Sequence, residues 1–508
     1  MMEGILLGLD RVLQPDNLIM IPLGLIVGTI IGAFPGMGAS FAIIIMIPLT
    51  YWMRPEQALI FLTNVGGSAE FGGSIPAILM HVPGTPGSTA TCWDGYPMTK
   101  KGEAARALGI SLFASGMGGL FGAIILLLLS PPIASFALKF SYPEMFLIAL
   151  LGITLIGSAT GKLVKAFLAG CLGLLVATIG SDPISAVPRF TFGIVDLYDG
   201  IHFVVALIGL FGFSEMLFLL KRKHIVSSES AFKGTFKDLL VGVKDVIKRP
   251  LLFLRVSSMG TVLGATPGIG PAITNIVAYN MAVSSSKEPH KFGTGIPEGV
   301  LAPEATNNAT QAGALIPAFT LGIPGSGMTA ALLGGLMLHG LVPGPMLFKN
   351  QPEVVYSVML AFLIGNPLMI LLLLSIQKQV VKIVLVPSKI LIPVTLLLII
   401  IGAYGIKNSW FDVGLMILFG ILGYYMRTYE YPVQAFVLPL ILGSIIEEGF
   451  RKGLMLGHGD PMIFFTRPLT IALWILIIAS IVIPYVIRKK YGKSESKMMD
   501  KSGGKDAS

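Results

Sequence analysis

Charge is what this sequence has least of. Asp, Glu, Lys and Arg make up only 12% of it, about half the share a soluble globular domain carries, which argues against a fold surrounded by water. Cysteine is nearly missing: Cys92 and Cys171 allow no disulfide framework and no thiolate cluster, and both are read as buried small hydrophobes. His81, His202, His339 and His458 are scattered without ligand spacing, so no metal site is expected. The nearest approach to a phosphate loop, Gly157 to Lys162, has its glycines one residue too close and Leu163 where Ser or Thr is required, which excludes ATP as the driving force. A polytopic membrane enzyme is the alternative reading, yet no clustered His/Asp/Glu or Ser/His set is present. An ion channel is the lesser alternative, and a ring-forming filter is not suggested by this chain. Met1–Asp16, with Glu3, Asp10 and Arg11, lacks the basic start and short apolar core of a secretory signal, so insertion is expected to use the first true span.

What fills the sequence instead is apolar: 54% of the residues are hydrophobic. Asn17–Phe34, Ala105–Ser130, Glu144–Ala159, His202–Leu220, Val354–Ile376 and Leu469–Ile487 are each near the roughly 17–25 residues that cross a hydrocarbon core. The runs are continuously apolar rather than alternating, which selects helices over a barrel. The expected fold class is an all-α polytopic membrane protein with about eleven or twelve spans plus broken or re-entrant segments. The net charge of +9 gathers in Lys221–Arg255 and after Ile487, next to spans, where Lys and Arg mark the cytoplasmic side.

The chain also contains itself twice. Gly28-Thr29-Ile30-Ile31-Gly32-Ala33-Phe34-Pro35-Gly36-Met37-Gly38 returns 232 residues later as Gly260-Thr261-Val262-Leu263-Gly264-Ala265-Thr266-Pro267-Gly268-Ile269-Gly270. Ile75-Pro76-Ala77 followed by Pro83-Gly84 returns, at an offset of 241, as Ile316-Pro317-Ala318 followed by Pro324-Gly325. These matches divide the chain into a first transmembrane repeat 17–220, a basic cytoplasmic linker 221–250, a second repeat 251–450, an extra C-terminal span 469–487 and a cytoplasmic tail 488–508. Duplication with Gly/Pro-broken segments at matching places is a signature of secondary transporters, whose substrate sits near the midplane between repeats. The repeats are expected to be inverted, although that places Arg451, Lys452 and Arg467 outside, against the positive-inside trend.

Three kinds of broken segment point to a site. Proline and glycine at Pro35-Gly36 and Pro267-Gly268 should unwind an apolar helix, and unwound backbone at membrane depth is tolerated only against protein or a water-filled cavity. These breaks, with Gly38 and Gly270, are expected to hold a coupling ion; close helix packing through Gly28, Gly32 and Gly36 is the plainer alternative. Ser74 and the tip Gly84, Thr85, Gly87 and Ser88 in one half, and Gly325, Ser326 and Gly327 in the other, read as half-helix ends whose free N–H groups suit an anion. An ordinary turn would use the same residue types. Before each tip lies a polar stretch, Asn64, Ser68 and Glu70 in the first half and Glu304, Asn307, Asn308, Thr310 and Gln311 in the second. Of these, Asn64, Ser68, Asn307 and Asn308 are expected at the substrate, with helix–helix hydrogen bonding as the alternative. No catalytic residue and no resident metal are expected. With no obvious intramembrane Arg facing the site, dipoles and neutral donors are expected to capture the substrate.

At these same residues the chain resembles the large membrane subunit of the tripartite tricarboxylate transporters, the TctA family. The resemblance rests on Gly32–Gly38, Gly72-Gly73-Ser74-Ile75-Pro76-Ala77-Ile78-Leu79, Pro83–Ser88, Asp94–Met98 and Lys101–Ala104. It continues through Glu298–Ala309, Thr320–Ser326, His339–Pro345, Gly459–Pro461 and Phe464–Pro468. It implies a permease for citrate-like carboxylates, without cofactor, driven by a Na⁺ or H⁺ gradient. It also implies a small membrane subunit, an extracytoplasmic solute-binding protein and a multi-pass location in the inner (cytoplasmic) membrane, with homo-oligomers and an elevator movement as further expectations.

Overall fold

The computed structural model describes residues 2–160, 162–182, 184–221, 234–383 and 388–482. Residues 222–233 of the expected linker, 483–487 of the expected C-terminal span and all of the expected tail (488–508) lie outside the described residues. The chain is an all-α polytopic membrane protein. Among the described residues the exception to helix is a two-stranded antiparallel ribbon that pairs Gly180 with Arg189 and Ser181 with Pro188. Among the described residues, five helices are long and apolar enough to cross a membrane, and seven shorter apolar helices of 10–17 residues, among them Ala39–Thr50 and Gly327–Leu338, accompany them. A helix satisfies its own backbone, the requirement for any segment facing lipid. Phe167, Leu371, Leu397 and Ile475 stand more than half exposed on these helices, an outer surface suited to acyl chains rather than water.

The first motif copy builds α1 (Met20–Gly32), α2 (Ala39–Met46) and α3 (Pro55–Gly72). A short helix, Ser74–Met80, leads to the first tip, and the long α4 (Ala104–Ala137) follows. The second copy builds α5 (Pro250–Gly264), α6 (Pro271–Ser285), α7 (Pro297–Leu321) and, after the second tip, α8 (Gly327–Leu338). α9 (Trp410–Thr428) and α10 (Val433–Leu456) close the framework.

Small residues explain how these helices approach. A Cβ at Gly28 would strike the Val65 carbonyl, and one at Gly32 the Ala69 carbonyl; Gly260 and Gly264 stand in the same way against Thr306 and Thr310. Packing of α1 on α3, and of α5 on α7, is therefore backbone against backbone, the arrangement small residues permit in membranes. Gly36 serves differently. The helix has ended at Gly32, and Gly36 sits at φ 90°, matched by Gly268 at φ 86°, a left-handed conformation that disfavours side chains. The glycine run thus packs at Gly28 and Gly32 and breaks the helix at Gly36.

The matched segments share hydrogen bonds as well. Gly36 N–H donates to the Gly84 carbonyl (3.0 Å) and Gly268 N–H to the Gly325 carbonyl (3.1 Å). Val82 N–H donates to Pro76 O (3.3 Å) and Ile323 N–H to Pro317 O (3.2 Å). Each break is thus tied to the tip of its own half.

Two sequence expectations need correction or comment. Cys92 is buried, but Cys171 is exposed, because its helix Leu163–Ala177 buries the stripe Ala166, Ala169, Gly170 and Gly173, and Cys171 falls beside that stripe. The three basic residues that strained the topology are all engaged by carboxylates. Arg451 pairs with Asp182 (2.5 Å) and Glu447 (3.0 Å), Lys452 with Glu448 (2.5 Å), and Arg467 with Glu144 (2.9 Å).

Candidate functional site

The chain leaves helix twice at the breaks and twice at the tips, and these four places meet. Between them lies a cavity of about 330 Å³ whose lining includes Gly36, Gly38, Gly87, Gly270, Ser326 and Gly327. A neighbouring cavity of about 150 Å³ shares Gly270, Ser326 and Gly327 and adds Gly268 and Gly325. The N-terminal residues of α2, α6 and α8 all line the larger cavity. The first turn of a helix has N–H groups without intrahelical partners and carries a partial positive charge, so three such ends on one space favour an anion. A roomier cavity of about 470 Å³ lies elsewhere, lined by Tyr142, Met145, Val342, Ile445 and Glu448 among others. Its described lining contains no broken helix start and no Arg or Lys.

The cavity wall carries paired polar groups. Gln311 Nε2 donates to Glu70 Oε1 (2.7 Å), and Ser326 Oγ donates to Gln311 Oε1 (2.9 Å), a chain that runs from α3 through α7 to the start of α8. On the far side Arg427, near the end of α9, lines the space and is ion-paired with Glu215. The guanidinium also lies 4.4 Å over the Phe218 ring. The sequence offered no obvious intramembrane Arg for the site, and Arg427 places one on the lining of this cavity. In the sequence Arg427 closes an apolar helix and looks like an interfacial anchor, and Glu215 stands at the edge of the basic linker. Neither signal distinguishes a cavity from a membrane surface.

The other expected site residues fall into three groups. Asn64 and Ser68 are turned into helix packing: Asn64 Nδ2 donates to Ile60 O (2.8 Å), while Ser68 Oγ donates to Asn64 O (2.8 Å) and reaches Gly24 O (3.3 Å). Asn308, fully buried with neither amide atom partnered, lies beside Gly119 and Asn366. A second group shapes the first tip from within. The Gly84 carbonyl is held by Gly36, Ser88 Oγ donates to Thr85 O (2.9 Å), and Asn307 Nδ2 reaches Glu70 O (3.4 Å). The breaking prolines, Pro35 and Pro267, are buried rather than lining. Ser74 forms the third group, at a carboxyl cage. Glu304 is fully buried and accepts from Ser74 (2.6 Å), Thr91 (2.5 Å), Ser111 (2.8 Å) and Ser115 (2.7 Å).

Comparison with known proteins finds a transporter family. The sequence model of the "Tripartite tricarboxylate transporter TctA family" matches residues 18–438. Among curated proteins, an uncharacterized 52.8 kDa protein in the TAR-I ttuC' 3' region of Agrobacterium vitis is 33% identical over 496 residues, covering 97% of this chain and 98% of that protein. An uncharacterized protein in the TAR-II ttuC' 3' region of the same organism is 35% identical over 214 residues, which is 42% of this chain and 88% of that protein. No solved structure matches the chain.

Proposed function

The chain belongs to the tripartite tricarboxylate transporter TctA family, and from that premise we propose that it is the permease subunit of a secondary transporter, not an enzyme, taking up tricarboxylates or related carboxylates. The observation that carries the reading is the cavity of about 330 Å³ onto which three helix N-termini and Arg427 open. That volume lies within the roughly 300–1,000 Å³ of small-molecule sites. In this reading the substrate's carboxylates lie against the starts of α2, α6 and α8. Ser326 and Gly327 contact one of them, and Arg427 exchanges part of its bond to Glu215 for another. A symporter of this kind is driven by Na⁺ or H⁺, works in the inner membrane with a small membrane subunit, and receives substrate from an extracytoplasmic binding protein.

The test is uptake of radiolabelled citrate and other carboxylates into proteoliposomes holding both membrane subunits, with binding protein added and a Na⁺ or H⁺ gradient imposed. Gradient-dependent accumulation is expected. Gly327→Leu, which fills the cavity, and Arg427→Ala should each weaken it at least tenfold, whereas Asn308→Ala, away from the lining, should change it less than threefold. Uptake insensitive to Gly327→Leu and Arg427→Ala would remove the substrate from this cavity. An intact complex that accumulates no carboxylate under either gradient would remove the transport reading.

A further inference from the structure

Three buried side-chain oxygens at the first tip have no hydrogen-bond partner: Glu70 Oε2, Thr85 Oγ1 and Asn307 Oδ1. Their residues are 5%, 1% and 0% exposed, so water does not compensate them freely, and an orphaned buried acceptor is costly. They come from three elements: the end of α3, the tip itself and the middle of α7. They also converge. A methyl carbon built on Gly87 would lie 2.6 Å from Asn307 Oδ1 and 3.0 Å from Glu70 Oε2, and the Thr85 hydroxyl approaches the Glu70 carboxyl as a weak hydrogen-bond donor outside ordinary geometry. Asn307 is held with its amide nitrogen toward Glu70 O (3.4 Å), which leaves its oxygen facing the gap at Gly87.

We propose that this gap is a sodium site, with Glu70, Thr85 and Asn307 as side-chain ligands and Gly87 kept free of a side chain to leave the ion room. Hard cations take oxygen ligands at roughly 2.3–2.6 Å, and a point between these oxygens offers one carboxylate, one hydroxyl and one amide oxygen. A proton on Glu70 would let its hydroxyl donate to one neighbour only, whereas a cation between the three oxygens engages all of them at once. A divalent ion would call for more carboxylate than is free here. Glu304 has its oxygens occupied by four hydroxyls, while Glu215, across the cavity, is paired with Arg427.

The position explains what the ion would do. Glu70 and Gly87 also line the cavity assigned to the carboxylate. Without the cation the Glu70 carboxylate would repel an anionic substrate; with it the wall is neutral. Occupancy by Na⁺ thus raises anion affinity, and anion binding raises Na⁺ affinity by the same factor. This coupling role rests on the transport reading above, but the site itself does not.

The experiment is therefore run without any carboxylate. The thermal midpoint of the detergent-purified full chain is measured against NaCl from micromolar to 100 mM, with choline chloride or KCl holding ionic strength. A saturable rise in midpoint with Na⁺, absent with choline and K⁺, is expected. Thr85→Val, Asn307→Ala and Gly87→Ala should each shift the half-saturating Na⁺ concentration upward at least tenfold. Thr85→Val changes only a hydroxyl for a methyl and keeps the test decisive if another variant does not fold. Equal midpoints in Na⁺ and choline overturn the site, as does a Na⁺ response that all folded variants retain, or a midpoint that follows pH alone. Loss of carboxylate uptake with the Na⁺ response intact would fault the transport reading and leave the site standing.

Discussion

The Glu304 carboxyl shows what one residue demands inside this protein. Four hydroxyls from four positions, Ser74, Thr91, Ser111 and Ser115, turn toward it, and it is fully buried. Glu304→Leu would leave those hydroxyls without their acceptor, and a buried polar group without a partner costs roughly 1–3 kcal/mol. We expect Glu304→Leu to lower the thermal midpoint of the purified protein well below that of Glu304→Gln, which keeps acceptor capacity. Similar midpoints would show that the hydroxyls find other carbonyls. At this scale the sequence was legible in part. Gly87, Ser326 and Gly327 could be found because Gly/Ser/Pro clusters inside apolar runs have few other uses. Asn64 and Ser68 could not be separated from Asn307, since polarity carries no direction. Four residues apart, Asn64 and Ser68 share the face of α3 that packs on Gly24 and Gly28, whereas Glu70, two residues later, turns toward the cavity. Arg427 and Glu215 were hidden because each needs the other, 212 residues away, to be read as anything but an interfacial charge.

At the scale of elements, the two breaks should respond alike and differ from the helix contacts that precede them. Gly36→Ala and Gly268→Ala place a side chain at φ 90° and 86°, a strain of about 1–2 kcal/mol each. Gly28→Leu and Gly260→Leu drive a side chain into the backbone of the facing helix. That cannot be relieved by a change of rotamer and should cost more than the roughly 1–3 kcal/mol of ordinary overpacking. Thermal unfolding of the four variants checks both statements: the alanine pair should match each other and the leucine pair should fall lower. A large difference between Gly36→Ala and Gly268→Ala would mean that the matched segments bear unequal loads. The helices themselves were legible because long apolar runs have few alternatives in a membrane. Their ends were less so, and among the described residues seven of the apolar helices are only 10–17 residues long. Hydropathy averages across a break that the backbone does not cross as helix.

At the scale of the whole molecule, a polar corner joins distant parts of the chain. Asp182, beside the ribbon, accepts from the Ile184 (2.8 Å) and Ser185 (2.7 Å) backbone N–H groups and from Arg451 (2.5 Å). Arg189 donates to both oxygens of Glu447 (2.7 and 3.0 Å). The Ser185 and Ile184 N–H groups, with Arg451, hold the Asp182 carboxyl well below the ordinary carboxylate range. Its folded state therefore binds the proton more weakly than its unfolded state. The stabilisation is full above about pH 4, the unfolded value, and is lost as pH falls toward the folded one. Asp182→Asn should thus lower the midpoint at pH 7, and the gap to the parent protein should close on acidification below about pH 4. A gap that is constant with pH would assign the effect to lost hydrogen-bond shape rather than charge.

The two bonds from Gly36 to Gly84 and from Gly268 to Gly325 have a mechanical meaning. Each joins a bend to the tip beside it, so neither tip is a free flap. Swinging one aside would break a main-chain bond worth about 1 kcal/mol and uncover polar backbone where lipid offers no substitute. The softer deformation keeps bend and tip together as a single stiff unit.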